Sequence, residues 1–589
     1  MNGHLQKAIT TLDNQFGEDV GNKILPADRP IVMNKTSSLD AMYELVVDGH
    51  ILGRLRFDIP KRDYTFVLSL EGGRRIGVFS KQKWVTCETG VLPYLKKGAN
   101  LMLPGVLGCD SKIEKGDEVW VHNEDGMVIA VGIAKMSGEE MSQETKGFAV
   151  KIREVGDPQI SSINPNQTSW DDVVKANSAA LELIETEAIS FISRTVEKFK
   201  EPVVVGFSGG KDSLVTYLLV EKALESSPPI FFTNTGIELP ETVEFIRDFA
   251  NQRGVKIIGF DAGEAFWDSV DVFGPPARDF RWCCKVLKLG PAAKSIAEEI
   301  GGEILTFMGQ RKLESFQRSL EPRVSKNPWV PGQRSANPIQ RWNALEVWLY
   351  IFKEKVTFNP LYNKGYHRMG CYLCPAAPLA ELESIRSTHP ELYNKWVTTL
   401  NKWAEEYGFP EEWADLGFWR WKKLPSGQIQ LAKSLNLDIK ADRPSPAQNL
   451  ILNIVGGVSP CADSGFSIQG QFSTGIDINR AVQVLPIFGK IKLWEDLGAV
   501  RTTNGNNTLT LFSSGSVTLR GKDTAKLENL AYQVERAMKR ALFCQACGSC
   551  IPQCEHDALN LDNGQISVDA DRCVNCLKCD TWPCPTYLS

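Results

Sequence analysis

At 589 residues with 43% hydrophobic content, the chain is long enough for several separate cores. Its 66 basic and 71 acidic residues leave a formal charge of −5, which excludes a polybasic protein overall and confines any nucleic-acid contact to local patches. No uncharged apolar run of about eighteen residues occurs, and residues 1–17 are polar, so neither a membrane span nor a secretory leader is expected and the location reads as cytoplasmic. Fifteen cysteines without such a leader suggest thiols that serve metals or catalysis in a reducing compartment.

In chain order, residues 1–84 alternate apolar and polar side chains at 43–47 and 66–70, with turn signals at Asp48-Gly49 and Gly72-Gly73, and predict a small α+β unit. Next come Lys96-Lys97-Gly98-Ala99, Leu103-Pro104-Gly105-Val106, the run from Ile113 to Val119, and a strand at 127–132. These pieces, in this order, resemble the PUA domain, a small β-barrel, here over residues 85–156. The resemblance implies contact with RNA, tRNA above all. Lysines at 96, 97, 112, 115 and 135 are offset by Glu114, Asp117 and Glu118, so such binding would be led by shape.

Residues 157–170 are polar, aperiodic and Pro-bearing, which reads as a linker. A helix follows with Leu181, Ile184, Ala188, Phe191 and Ile192 at helical spacing. Strand-like runs at 203–207, 230–232, 256–260 and 304–307 then alternate with helical runs at 214–224 and 242–250, which predicts a doubly wound parallel sheet over 170–427. Residues 440–540 read as a small α+β domain with strands at 450–455, 466–472, 508–512 and 517–519 and a closing helix at 524–543. Residues 541–589 form a cysteine-rich tail.

The strand at 203–207 ends in Ser208-Gly209-Gly210-Lys211-Asp212-Ser213 and runs directly into a helix. Glycines there let backbone N–H groups approach phosphate, the serines add hydroxyl donors, and the helix N-terminus favours an anion. Lys211 supplies a compact positive charge, and Asp212 suits either Mg²⁺ or a cap. The spacing is not that of the Walker loop. The six residues resemble the PP-loop of N-type ATP pyrophosphatases. The segments Phe232–Thr242, Gly309–Ser315 with Arg318, Pro338–Trp342, Asn359–Tyr362 and Gly370-Cys371-Tyr372-Leu373-Cys374-Pro375 narrow the resemblance to the phosphoadenosine phosphosulfate reductase family. That resemblance implies an adenine nucleotide, ATP or an adenylyl sulfate, bound by residues 208–213 with Thr235 and Gly236. Arg311, Arg318 and Lys288 would be its counter-charges, and Lys211, Asp212, Lys288 and Arg311 the catalytic set. Asn234 stands where the family usually has aspartate.

Members with paired cysteines hold a [4Fe-4S] cluster, which the resemblance assigns to Cys283, Cys284, Cys371 and Cys374; a four-cysteine zinc site is the alternative. The Glu-Cys-Gly-x-His motif that carries the family's nucleophile does not occur, and Cys461 has nothing near it in sequence that would lower its pKa. In the tail, Cys544, Cys547, Cys550, Cys554 and Cys573, Cys576, Cys579, Cys584 resemble bacterial two-cluster ferredoxins, although Glu555 replaces the usual proline. In those proteins the fourth cysteine of each run crosses over. The resemblance therefore groups Cys544, Cys547, Cys550 and Cys584 on one [4Fe-4S] cluster and Cys573, Cys576, Cys579 and Cys554 on another, with zinc or disulfides as alternatives.

The combined expectation is an enzyme with three [4Fe-4S] clusters, an external electron donor and a sulfur donor. It would thiolate an adenylylated RNA base; the rival is an adenylyl-sulfate or phosphoadenylyl-sulfate reductase. A second RNA surface can be drawn at Phe418-Trp419-Arg420-Trp421-Lys422-Lys423, but the spacing of the preceding Trp396, Trp403 and Trp413 more simply suggests helix packing, so core is the expectation.

Overall fold

Strict alternation over 42–47 buries every second side chain, and Met42–Val47 pairs antiparallel with Ile31–Lys35 on one side and His50–Asp58 on the other. Asp63–Leu68 completes this four-stranded sheet, and helix Asn2–Phe16 buries Ala8, Leu12 and Phe16 in its core. The computed structural model describes residues 2–161, 168–440, 443, 446–461 and 465–587, so the middle of the linker read at 157–170 lies outside the described residues.

Gly72-Gly73, expected as a turn, lies instead inside helix Leu70–Phe79, whose first turn is capped by Ser69 Oγ accepting from Gly72 N–H. A Cβ on Gly72 would stand 1.8 Å from the Leu52 carbonyl oxygen, and one on Gly73 2.5 Å from the Val131 side chain. The two glycines therefore let a helix lie tight on two strands. A six-stranded sheet follows in the order 101–102, 148–155, 128–134, 118–122, 84–87, 106–109, with Trp84–Cys87 and Glu118–His122 running parallel. Val85, Leu101, Val119, Ile129 and Val150 fill its own core.

The chain forms two compact units. The first comprises Met1–Leu183, Ala344–Met369 and Ala377–Asn394; the second comprises Ile184–Asn343, Gly370–Ala376 and Lys395–Ser589. Within the first, the buried Asp40 carboxylate accepts the N–H groups of Leu379 and Ala380, tying the later segment to the N-terminal sheet.

In the second unit the apolar runs form the expected parallel sheet. Its order is 257–261, 230–234, 203–206, 304–308, 333–336, and Val324–Lys326 adds an antiparallel edge. Val204, Phe231, Ile258 and Ile304 pack against Ala292, Ala293 and Ile296 of helix Gly290–Glu299. Phe207 stacks on Phe249, centroids 4.6 Å apart. The following α+β domain has a six-stranded antiparallel sheet in which Lys490–Trp494 and Ala499–Asn504 join the four strands read from sequence. Helix Thr524–Phe543 buries Leu527, Val534, Met538 and Ala541 in that domain's core, and the same core takes Leu559 and Ile566 from the ribbon Leu559–Asp562/Gln565–Val568 in the tail.

Candidate active site

Strand Val203–Gly206 lies between Ile230–Asn234 and Ile304–Met308, and the chain winds one way from it before returning on the other side. Residues following these strands therefore meet at a topological switch point, where open α/β sheets bind ligands. Gly209 there has φ +70, and helix Lys211–Leu224 starts at Gly210 without a side-chain cap, so Asp212 does not cap it. Ser213 Oγ accepts from Ser208 N–H at 3.3 Å and donates to the Gly210 carbonyl at 2.9 Å, which closes the loop on itself.

Asp212 reaches across the switch point. Its Oδ1 accepts from Arg311 Nε at 2.5 Å and its Oδ2 lies 3.1 Å from Lys211 Nζ. Arg311 is buried and also pairs with Glu314 at 3.4 Å, and Arg318 pairs with Glu314 as well. The expected counter-charges are thus held by carboxylates, and an incoming anion would share Lys211 and Arg311 with Asp212. Gly309 is required by this junction, because a Cβ on it would stand 2.5 Å from the Asp212 backbone.

The neighbouring strand end links the loop to the paired cysteines. Asn234 Oδ1 accepts from Gly236 N–H at 3.1 Å while its Nδ2 donates to Asp261 at 3.0 Å, a bridging role that an aspartate could not fill. Gly236, with φ +73, packs so close to the Gly263 carbonyl that a Cβ would lie 1.9 Å from it. Buried Thr235 Oγ1 donates to Glu238 Oε1 at 3.1 Å and lies 3.4 Å from Cys371 Sγ. Cys371 Sγ also lies 3.5 Å from Glu238 Oε1, as does Lys288 Nζ, while Glu238 Oε2 is buried without a partner. Burial, with Glu238 beside it, pushes the Cys371 thiol up to about 12, against the opposing pull of Lys288. Cys371 and Glu238 in turn hold the Lys288 ammonium charged against the desolvation it suffers. A hydrogen bond to Cys284 and burial, with Cys371 and Cys374 adding to them, push the Cys283 thiol well above its usual range. Glu238 lies inside the segment Phe232–Thr242, where only its spacing after Thr235-Gly236 marks it.

The tail thiols line two cavities. Cys544, Cys547, Cys550 and Cys584 line one, partly open to solvent, and Cys554, Cys573, Cys576 and Cys579 line another. Among the described residues no group of three or more His, Cys, Asp or Glu side chains is placed to hold a metal ion. Sulfur acceptors are served by Ile566 N–H on Cys544 at 3.4 Å, Ala558 N–H on Cys554 at 3.3 Å and Thr586 Oγ1 on Cys584 at 3.2 Å. Buried Arg540 lines the first cavity, donates to the Cys579 carbonyl at 2.8 Å, and has an unpartnered Nε. Four thiols, N–H donors to sulfur and an under-used buried cation suit an anionic iron-sulfur cubane. These residues could hold one per cavity. The side chain of Cys461 lies outside the described residues.

The favoured reading, core packing in place of a second RNA surface, agrees with the structure for the aromatics up to Arg420, while Trp421 and Lys422 are half-buried and Lys423 is exposed. Phe418, Trp419 and Arg420 are buried, as are Trp396, Trp403 and Trp413, and Trp396 meets Trp419 edge-on at 5.1 Å. The aromatics build core, because their helical spacing faces them inward.

Residues 202–377 match the phosphoadenosine phosphosulfate reductase domain and residues 83–156 match the PUA domain. An uncharacterized protein of Methanocaldococcus jannaschii is 37% identical over 414 residues, covering 69% of this chain and 86% of that protein. The adenosine 5'-phosphosulfate reductase of Allochromatium vinosum is 29% identical over 203 residues, 33% of this chain and 75% of that enzyme. The crystal structure of phosphoadenylyl-sulfate reductase from Candida auris, a phosphate complex, covers 36% of this chain and 98% of its own at 20% identity and TM-score 0.26. The chain belongs to the phosphoadenosine phosphosulfate reductase family, with a PUA domain ahead of the PP-loop core. No helix among the described residues is long and apolar enough to cross a membrane.

Proposed function

We propose that the protein is an iron-sulfur enzyme that binds an adenine nucleotide at residues 208–213 and reduces sulfur carried on it, an adenylyl sulfate being the substrate. The observation that supports this most is the Thr235–Glu238 segment, whose side chains reach Cys371 and Lys288 from the strand beside the nucleotide loop. Lys211, Arg311 and the loop N–H groups bind the anion, and Lys288 brings a cation to the sulfate end. In the reaction the bridging S–O bond breaks, its oxygen stays on phosphorus, and two electrons pass to sulfur, giving AMP and sulfite. Bound clusters would supply those electrons singly. With no Glu-Cys-Gly-x-His motif in the sequence, no thiosulfonate step is assigned.

The PUA match supports a second reading, thiolation of a tRNA base. There ATP adenylylates a base carbonyl with release of pyrophosphate, and sulfide displaces AMP, so oxygen leaves with AMP and no net electrons are consumed. The test uses the anaerobically reconstituted full chain in two arms, reductant with labelled adenylyl sulfates, with and without a 3'-phosphate, and labelled ATP with bulk tRNA and sulfide. Sulfite formed without RNA, with an equal amount of AMP from the plain adenylyl sulfate or of adenosine 3',5'-bisphosphate from the 3'-phosphorylated one, establishes the first reading; thionucleoside and pyrophosphate from the second arm alone replace it.

A further inference from the structure

The two tail cavities differ in what surrounds them. The first takes Phe273 and Val286 from the family core into its wall, whereas the second is walled by the tail itself and Ile487, with Cys576 exposed at its side. Val286 is two residues past Cys284, in the Lys285–Leu289 π-turn. Such turns mark sites where a helix is locally re-aimed. Between them Lys285 places its ammonium 3.6 Å from the Trp329 ring centroid, and Trp329 meets Trp582 of the first cavity edge-on at 5.6 Å. Immediately after the turn, Gly290 is the docking point. A Cβ on it would stand 2.2 Å from the Cys547 carbonyl oxygen and 2.5 Å from Ser549 Oγ, so no other residue lets the tail lie this close.

We propose that the two tail sites work in a fixed order, the Cys576 site taking electrons from an external carrier and the Cys547 site passing them across Lys285-Val286 to the Cys283/Cys284/Cys371/Cys374 site. The inference rests on the iron-sulfur reading above. The carrier is a low-potential one-electron protein; each transfer oxidises one carrier by one electron, and two transfers reduce one sulfonucleotide by two. Lys285 is a positioning residue whose charge lies between two anionic sites and stabilises the reduced form of both.

The experiment uses the reconstituted full chain and begins with iron and acid-labile sulfide. About twelve of each per chain are expected. A chain that folds but holds neither refutes the iron-sulfur reading itself, and this proposal with it. With content intact, potentiometric EPR of Lys285→Gln should move two of the three midpoint potentials in the negative direction and leave the third, that of the Cys576 site, unchanged. Lys285→Arg should restore them. Gly290→Val should abolish the spin–spin broadening between the Cys547 site and the family-core site at unchanged iron content. A Lys285→Gln enzyme in which only the Cys576 site shifts, or none does, overturns the order. So does a Gly290→Val spectrum identical to that of the parent chain.

Discussion

Around residues 208–213 the anion site is made of backbone turns and charges already paired, Asp212 with Arg311 and Lys211, on a sheet that is buried on both faces. Around residues 544–584 the wall is thiol and aliphatic, and the ribbon relies on helix Thr524–Phe543 for its core. The first region carries its own order, because Asp212 is already paired with Lys211 and Arg311 before any ligand arrives. The second has cavities and an unpartnered Arg540 Nε where the first has closed ion pairs. Its stability should therefore depend on what fills it.

Removing iron is the sharpest way to break this contrast. Anaerobic chelation should raise amide exchange in residues 544–587 by roughly 100-fold or more while leaving strands Val203–Gly206 and Ile304–Met308 protected. Equal loss of protection in both regions would show that they order as one. Next in size is Lys211→Ala. Turnover should fall about 10²–10³-fold, as for loss of one charged group at a reacting anion, with the thermal transition nearly unmoved. Arg311→Ala should lower turnover as well and, unlike Lys211→Ala, also cost about 2 kcal/mol in denaturant unfolding, because the half-buried Asp212 loses its buried guanidinium partner.

The parallel sheet, the nucleotide loop and the helix at 524–543 were legible because each signal is local: an apolar run bounded by glycines, or a 3.6-residue period. Strand Lys490–Trp494 was not, since its lysines interrupt the apolar count although Ile491 and Leu493 still pack against the core. Gly72-Gly73 was misjudged for a related reason. Glycine marks a turn and a close helix contact alike, and only the partner, here the Leu52 carbonyl, tells them apart. The pairing of Arg311 with Asp212 joins residues 99 positions apart, and that of Glu238 with Cys371 joins residues 133 apart. Motif order suggests such neighbours without saying which charges close on each other. Arg540 and Gly290 carry no motif at all, and Lys285 stands in the Cys283-Cys284 motif with nothing to mark it apart.

Gly72→Ala separates the two meanings of that dipeptide and tests packing in the first unit alone. If Gly72 served a turn, its φ would be positive and alanine would be strained by backbone conformation. Helix Leu70–Phe79 gives it a helical backbone, and it is not among the positive-φ glycines, so the cost must come from the Leu52 carbonyl. Relief requires the helix to move off strand His50–Asp58, and overpacking of this kind costs about 2 kcal/mol. Unfolding of the unit should register that loss, with sulfur chemistry in the second unit unaffected.

The smallest effect belongs to the exposed pair Lys578–Glu555 beside the Cys576 cavity, whose groups meet at 2.7 Å. Both are open to solvent, so water and salt screen them and the fold should not register Lys578→Ala. Its position beside exposed Cys576 gives it a different use: an external carrier docking there would meet Lys578 before any thiol. The variant should therefore leave thermal unfolding and dithionite-driven reduction unchanged while weakening the salt dependence of carrier-driven reduction. Unaltered salt dependence would move the intake face elsewhere on the tail.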